Sequence, residues 1–244
     1  KIKVKTDIAD KNYKSGYKEV EKEVHKVQIL DPATGTGTFL AEIIKHIHKG
    51  FSAMQGAWPS YVEKDLIPRL NGFELLMASY AMAHLKLDLL LTETGYTPST
   101  NQRFKVYLTN SLEESHPDTG TLFSNWLSTE ANEANHIKRD TPVMCVIGNP
   151  PYSGVSANNG EWILKLISKY KENLNEKKIN INDDYIKFIR YGQYHIEKNG
   201  SGILAFITNN SFLDGITTRE MRKQLLKTFD KIYVLDLNGD VKKN

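Results

Sequence analysis

The stretch that most restricts this chain is Asn149-Pro150-Pro151-Tyr152, set directly after the apolar run Val143-Met144-Cys145-Val146-Ile147-Gly148. A short, unbroken apolar run bounded by turn residues reads as a buried parallel strand. Two successive prolines cannot continue a sheet ladder, because each lacks an N–H and has a fixed φ. The chain must therefore leave the sheet as a stiff corner at the strand's carboxyl end, the edge where open α/β sheets bind ligands. This corner offers the Asn149 side-chain carbonyl, the Pro150 backbone carbonyl and the flat ring of Tyr152. Two acceptors beside an aromatic platform suit a planar nucleobase or amide bearing an NH₂ group. The same four residues also make an ordinary strand-ending turn, so the rest of the chain has to decide.

A second corner lies upstream. Val27-Gln28-Ile29-Leu30 reads as a strand, and Asp31-Pro32-Ala33-Thr34-Gly35-Thr36-Gly37-Thr38-Phe39-Leu40 follows it. Apolar residues at Phe39, Leu40, Ile43, Ile44 and Ile47 then mark a helix. Strand, glycine-rich turn and helix form the first half of a nucleotide-binding α/β unit. Gly35 and Gly37 let the backbone approach a ligand closely. Free N–H groups at the helix start, near Thr38 and Phe39, favour an anionic group such as a carboxylate. Asp31 can accept a hydrogen bond from a ligand ammonium or from water. The turn lacks the Gly-Lys-Ser/Thr ending of a phosphate loop, and Leu40 stands where the dinucleotide fingerprint needs its third glycine.

Leu70–Leu75 reads as the second strand, with Glu74 near its end. An acid there suits both hydroxyls of a ribose, and Leu75 suits the face of an adenine; the alternative is a helix N-terminal acid stabilised by the dipole. Its distance from the glycine-rich turn exceeds the usual interval of roughly 20 residues, because residues 51–69 make a loop excursion containing a short amphipathic piece. Phe104–Thr109 alternates as a third strand. Asn110 follows it, placed to bond an exocyclic amine, with Leu112 packing on the ring. Val143–Gly148 is the fourth strand and Ile203–Thr208 the fifth. Ile232–Leu237 reads as a sixth.

The intervening segments are plainer. Residues 1–26 are Lys-rich and polar, and read as a solvated lead-in. Residues 76–94 read as a core helix carrying a structural His84; His46 and His48 do not share a face. Residues 113–141 read as a loop and a short helix anchored by Trp126. Ser153–Gly160 is small and polar, either a segment that closes over a substrate or a surface loop. Glu161–Tyr170, Asp183–Lys198 and 217–228 read as helices, with Lys171, Lys177 and Lys178 in a charged connector. The 244 residues allow one substantial domain. A net charge of +3 permits a polyanionic partner without demanding one. A single cysteine excludes a disulfide framework and a multi-thiolate zinc site, and no metal is expected. With no signal peptide and no apolar stretch near the roughly 20 residues that span a bilayer, the expected location is cytoplasmic. A start at Lys1 and a stop at Val241-Lys242-Lys243-Asn244 suggest a piece of a longer polypeptide.

Taken together, residues 27 to about 240 resemble the γ-class amino-methyltransferases that modify adenine N6 in DNA. Asp31–Phe39 looks like the S-adenosylmethionine loop of that class, Glu74 like its ribose acid, and Asn149–Tyr152 like its catalytic motif. The cofactor loop precedes the catalytic loop, with no room for a recognition domain between the third and fourth strands, which is the γ order. The wording of both motifs looks most like the modification module of large single-chain restriction–modification enzymes. The resemblance implies an α/β, Rossmann-like S-adenosylmethionine-dependent methyltransferase, a mostly parallel sheet flanked by helices. Residues 27–244 would be that catalytic domain and 1–26 a lead-in. It implies Asn149, Pro150, Pro151 and Tyr152 as catalytic residues. It implies Asp31, Pro32, Ala33, Thr34, Gly35, Gly37, Thr38, Phe39, Glu74, Leu75, Asn110 and Leu112 around the cofactor. The implied partners are double-stranded DNA with a flipped adenine, and nuclease, motor and target-recognition parts elsewhere in the full chain.

Three features depart from the class. The upstream segment that helps cover the cofactor's methionine end is not evident in residues 1–26. Position 110 is Asn where the class usually has Asp, and no recognition domain is present. The expectation is a module with the chemical machinery but weak cofactor retention and little sequence-specific DNA binding. Phe212 is a candidate second aromatic against the base. Two other readings stay open: methylation of a protein glutamine amide, another planar NH₂ served by Asn-Pro-Pro-Tyr, and a catalytically silent DNA-binding module.

Overall fold

The computed structural model describes residues 2–12, 17–99, 102–114, 125–154, 156–176 and 181–237. Lys177, Lys178, the 241–244 terminus and the side chain of Trp126 lie outside the described residues.

Five strands form one all-parallel sheet: β3 (Gln28–Asp31), β4 (Leu70–Glu74), β5 (Lys105–Leu108), β6 (Val143–Gly148) and β7 (Ile203–Phe206). Their order is β5-β4-β3-β6-β7. The chain steps outward from β3 to β5, then returns to the other side of β3. That reversal leaves a crevice at the carboxyl ends of β3 and β6, where neighbouring connections go to opposite faces.

Alternation along the strands divides the core between the two faces. Leu70 and Val106 pack against α1 (Thr38–Lys49) and α3 (Met77–Glu93), through Leu40, Ile44, Ala83 and Leu87. Leu30, Phe73 and Tyr107 face α4 (Asn125–Asp140), α5 (Glu161–Ser168) and α6 (Asp184–Asn199), through Ile137, Ile163, Phe188 and Tyr191. A third cluster joins α5 and α6 to α7 (Arg219–Thr228) through Ile167, Tyr185 and Met221. Each such buried side chain is worth about 1.5–3 kcal/mol relative to exposure. The Asp183–Lys198 stripe is core as expected. His84 is a satisfied structural histidine, its ring N–H donating to the Val106 carbonyl at 3.1 Å.

Several segments differ from the expectation. Residues 2–22 are not a featureless strip: β1 (Ile2–Ala9) and β2 (Tyr17–Lys22) pair antiparallel, with Val4 opposite Val20. Ile2, Val4 and Ile8 alternate with Lys3, Lys5 and Asp7, a two-residue period that the lysine content hides. In the 51–69 excursion the expected short amphipathic piece is larger than a single segment: single helical turns around α2 (Trp58–Tyr61) run from Gln55 to Arg69. It plugs the core with Trp58, Val62, Leu66 and Ile67, and the Trp58 indole N–H donates to Thr94 Oγ1 at 2.9 Å. The helix within 113–141 is long, 16 residues. Residues 231–237 form no strand, and Tyr233 and Leu235 are more than four-fifths exposed. Apolar alternation makes a strand only where a neighbour completes the ladder, and the segment has none among the described residues.

Candidate functional site

Both sequence corners lie at one place, the carboxyl edge of two neighbouring strands. β3 and β6 are hydrogen-bonded neighbours with Leu30 level with Val146, so Pro32 and Asn149 leave the sheet side by side at its carboxyl edge. The contact is close. A Cβ added to Gly148 would sit 2.7 Å from Asp31 Oδ1 and 3.7 Å from Pro32 Cδ. Only glycine at 148 lets the first corner lie against the second.

Within the first corner the backbone is strongly held. Ala33 N–H donates to Asp31 Oδ1 at 3.1 Å, Thr34 N–H to the Phe73 carbonyl at 2.9 Å and Thr34 Oγ1 to the Asp31 carbonyl at 3.1 Å. Gly35 and Gly37 both have positive φ, 55° and 79°. Gly37 caps α1 in the left-handed conformation, and the helix start carries no side-chain cap. Its first-turn amides at Thr38 and Phe39 are therefore available to an anion. Thr38 is exposed and Phe39 half-buried, while Pro32 and Thr34 are buried and Ala33 half-buried.

Asp31 is the unusual group. It is 1% exposed, and its Oδ2 is buried without a partner among the described residues. Burial raises its carboxyl to about 7, against the lowering effect of the Ala33 N–H and with a further rise from the Glu74 carboxylate. A buried carboxylate oxygen left in that condition is what a bound ammonium would satisfy.

Glu74 ends β4 beside that turn. Its Oε2 accepts the Gly35 N–H at 2.7 Å, and its Oε1 accepts Leu75 and Leu76 N–H at 2.9 and 2.8 Å. Three of about four acceptor sites are thus engaged, so gripping both hydroxyls of a ribose requires the Gly35 amide to give way. Leu75 is 62% exposed, an apolar surface at the rim. Leu112 is 1% exposed and packs in the core with Leu30 and Phe73, so it supports the rim from beneath. Asn110 uses its side-chain oxygen on Leu112 N–H at 3.0 Å, and its amide donates to Glu113 Oε1 at 3.1 Å and to Asn158 Oδ1 at 2.9 Å.

In the second corner, Asn149, Pro151 and Tyr152 are exposed and Pro150 is buried. The Tyr152 hydroxyl donates to Asn149 Oδ1 at 2.8 Å, which turns the side-chain carbonyl and the ring toward each other. Phe212 is not at this corner's surface in the same way: it is half-buried against the third cluster, its ring 6.5 Å from that of Tyr185.

Two lysines escaped the sequence reading. Lys86 on α3 donates to Thr38 Oγ1 at 3.0 Å, bringing a cation to the start of α1. Lys86 and Asp88 are the only charges between Tyr80 and Leu91, and that isolation was the available signal. Lys138 on α4 is 9% exposed and donates to the Asn110 carbonyl at 2.7 Å and Thr109 Oγ1 at 3.0 Å. Burial lowers its ammonium to about 8. Nothing in the sequence marked it, because its helix was read as short.

Residues 71–242 match the family model described as Eco57I restriction-modification methylase. No curated protein matches. Among solved structures the chain is similar to a nuclease-deletion mutant of the Type ISP restriction-modification enzyme LlaGI in complex with a DNA substrate mimic. That likeness has a TM-score of 0.71 and 26% identity over 84% of this chain and 17% of that one. It is also similar to DrdV in a DNA complex (TM-score 0.65, 29% identity, 84% of this chain, 19% of that one). A third is the ATP-dependent Type ISP enzyme LlaBIII bound to DNA (TM-score 0.69, 26% identity, 82% of this chain, 14% of that one). The chain thus spans between 14% and 19% of the length of these solved chains. Its sheet order is that of a Rossmann-like methyltransferase, and with residues 71–242 inside the family match the chain belongs to the Eco57I restriction-modification methylases.

Proposed function

We propose that this chain transfers a methyl group from S-adenosylmethionine to the N6 amine of adenine in DNA, as the modification part of a restriction–modification enzyme. The observation that carries the reading is the contact between the two corners. A carboxylate whose Oδ2 has no partner among the described residues lies against the acceptor-rich second corner, with 2.7 Å between Asp31 Oδ1 and the place of a Gly148 Cβ.

The residues present fit the methyl donor. Asp31 Oδ2 would take its ammonium, and the Thr38 and Phe39 amides, with Lys86 nearby, its carboxylate. Glu74 would face its ribose, and Leu75 and Asn110 its adenine. When bound, it supplies a methyl group on an electron-poor sulfonium. The rest falls to the second corner. Adenine N6 is a poor nucleophile because its lone pair is delocalised into the ring. Asn149 Oδ1 and the Pro150 carbonyl accept its two N–H bonds, which draws the nitrogen toward tetrahedral geometry and frees the lone pair. Tyr152 releases Asn149 Oδ1 and stacks on the extruded base, offsetting part of an unstacking cost of a few kcal/mol; such stacking is worth about 1–3 kcal/mol. Positioning and fixed dipoles provide the acceleration.

The test is transfer of an isotope-labelled methyl group by the full-length enzyme, offered duplex DNA and a protein bearing an accessible glutamine amide. Label recovered as N6-methyladenine supports the reading. Label in the protein, or in cytosine, overturns it.

A further inference from the structure

The loop after Tyr152 reads in the sequence as a mobile or unconstrained segment. Its described residues are instead fastened to the first turns of α6. Ser153 N–H donates to Asp183 Oδ1 at 2.9 Å. Lys187, on the same helix and 0% exposed, directs its ammonium wholly into the loop. It donates to Ser156 Oγ at 2.8 Å, to Asn159 Oδ1 at 3.2 Å and to the Asn158 carbonyl. Those are all three of its donors. Ser156 Oγ in turn donates to Asp184 Oδ1, which also accepts the Asn158 side-chain amide at 2.9 Å. Ser156 is 3% exposed and Asp184 8%. A buried ammonium and a buried carboxylate are thus bridged by one loop hydroxyl.

The network does not stop at the loop. Asn158 Oδ1 accepts the Asn110 side-chain amide at 2.9 Å, and Asn110 sits on the turn after β5. The chain of bonds Lys187–Ser156–Asp184–Asn158–Asn110 therefore runs from the segment that continues the Asn149–Tyr152 corner to the far side of the crevice. Nothing about core packing asks for a charge at 187. Its helix neighbours Ile186, Phe188 and Ile189 are apolar and buried, and a buried ammonium is strongly disfavoured unless its hydrogen bonds are all made. Here every acceptor comes from the one loop beside the reactive corner.

We propose that Lys187 is a positioning residue for methyl transfer. It holds Ser156, Asn158 and Asn159 onto α6, so that these residues form a single wall shared by the target amine and the group bound beside Asn110. The chemical consequence rests on the methyltransferase reading above; the loop anchoring does not.

The two are separated by measuring both in the full-length enzyme. Backbone hydrogen exchange at Ser156–Asn159 reads the anchor, and single-turnover methylation per cofactor-binding site reads its consequence. Lys187→Met should speed exchange at those amides at least tenfold, and Asn149→Ala should leave it unchanged. Lys187→Met should also lower the single-turnover rate at saturating S-adenosylmethionine at least tenfold. Ser156→Ala, which removes the bridge without altering the helix, should move both readouts the same way if Lys187→Met does not fold. Unchanged loop exchange in the variant that folds overturns the anchor. Faster exchange with a rate per binding site within twofold of the unaltered enzyme overturns the positioning role, whatever happens to thermal stability. An unaltered enzyme that methylates no DNA overturns the functional reading and leaves the exchange result to judge the anchor.

Discussion

Binding of S-adenosylmethionine should expel a proton from Asp31. Its carboxyl titrates at about 7 because burial disfavours the charged form, with Glu74 adding to the rise. In the ligand-free protein it is therefore mostly protonated at pH 6. A carboxyl raised from 3.8 to about 7 favours the folded state fully below about pH 4, and that contribution is lost as pH rises through 7. A ligand ammonium against Oδ2 reverses the preference, and an opposite charge in contact lowers a carboxyl by about 1–3 units. With a three-unit reversal, about 0.9 of a proton leaves per ligand bound at pH 6, and affinity weakens about 20-fold from pH 6.5 to pH 5. In this window the ligand's own amine stays protonated. Calorimetry at pH 6 in buffers of different ionisation enthalpy measures the release directly. Asp31→Asn keeps the side chain's shape, and should abolish both the release and the pH dependence. Release of less than about 0.2 proton, with affinity flat across the range, would refute the placement of the ammonium at Asp31.

Three further outcomes follow from the geometry. Asn149→Ala should abolish turnover and leave affinity for S-adenosylmethionine within about threefold, a change under about 1 kcal/mol; equilibrium binding and methylation rate check it. Tyr152→Ala should lose more activity than Tyr152→Phe, since the proposed stacking needs only the ring while the hydroxyl occupies Asn149 Oδ1; equal losses would speak against stacking. Gly148→Ala puts a methyl group 2.7 Å from Asp31 Oδ1. It should destabilise the fold by about 1–3 kcal/mol, read by denaturant unfolding, and weaken cofactor binding with it.

The frame of the fold was legible because its strands and α1 are short periodic runs with strong punctuation. Val143–Gly148 was read to the residue, and the prolines after it placed the corner. The adjacency of β3 and β6 lies in the sheet order β5-β4-β3-β6-β7 and is written in neither run alone. What stayed hidden depends on three-dimensional company. The hairpin at 2–22 keeps its alternation under a lysine-rich composition. The plug at 55–69 consists of single turns too short to show a helical period. Ile232–Leu237 has a strand's pattern without a strand's partner. In the site, Gly148 and Asp31 were each visible, but their contact was not. Leu112 was placed on the ligand by its position in the chain, whereas burial turns it into the core. Lys138 and Lys187 carry no mark in the sequence, because a lysine in a helix reads as solvated until its acceptors are known; Lys86 is marked only by its isolation among apolar residues.

A structure of the full-length enzyme with a non-reactive S-adenosylmethionine analogue and its duplex DNA would show whether the β3 and β6 corners hold the methyl donor and the amine together. The expected result is the analogue's amine on Asp31 Oδ2, and an extruded adenine with N6 bonded to Asn149 Oδ1 and the Pro150 carbonyl. An analogue seated away from the β3–β6 crevice, or a base held where N6 meets neither acceptor, would contradict it.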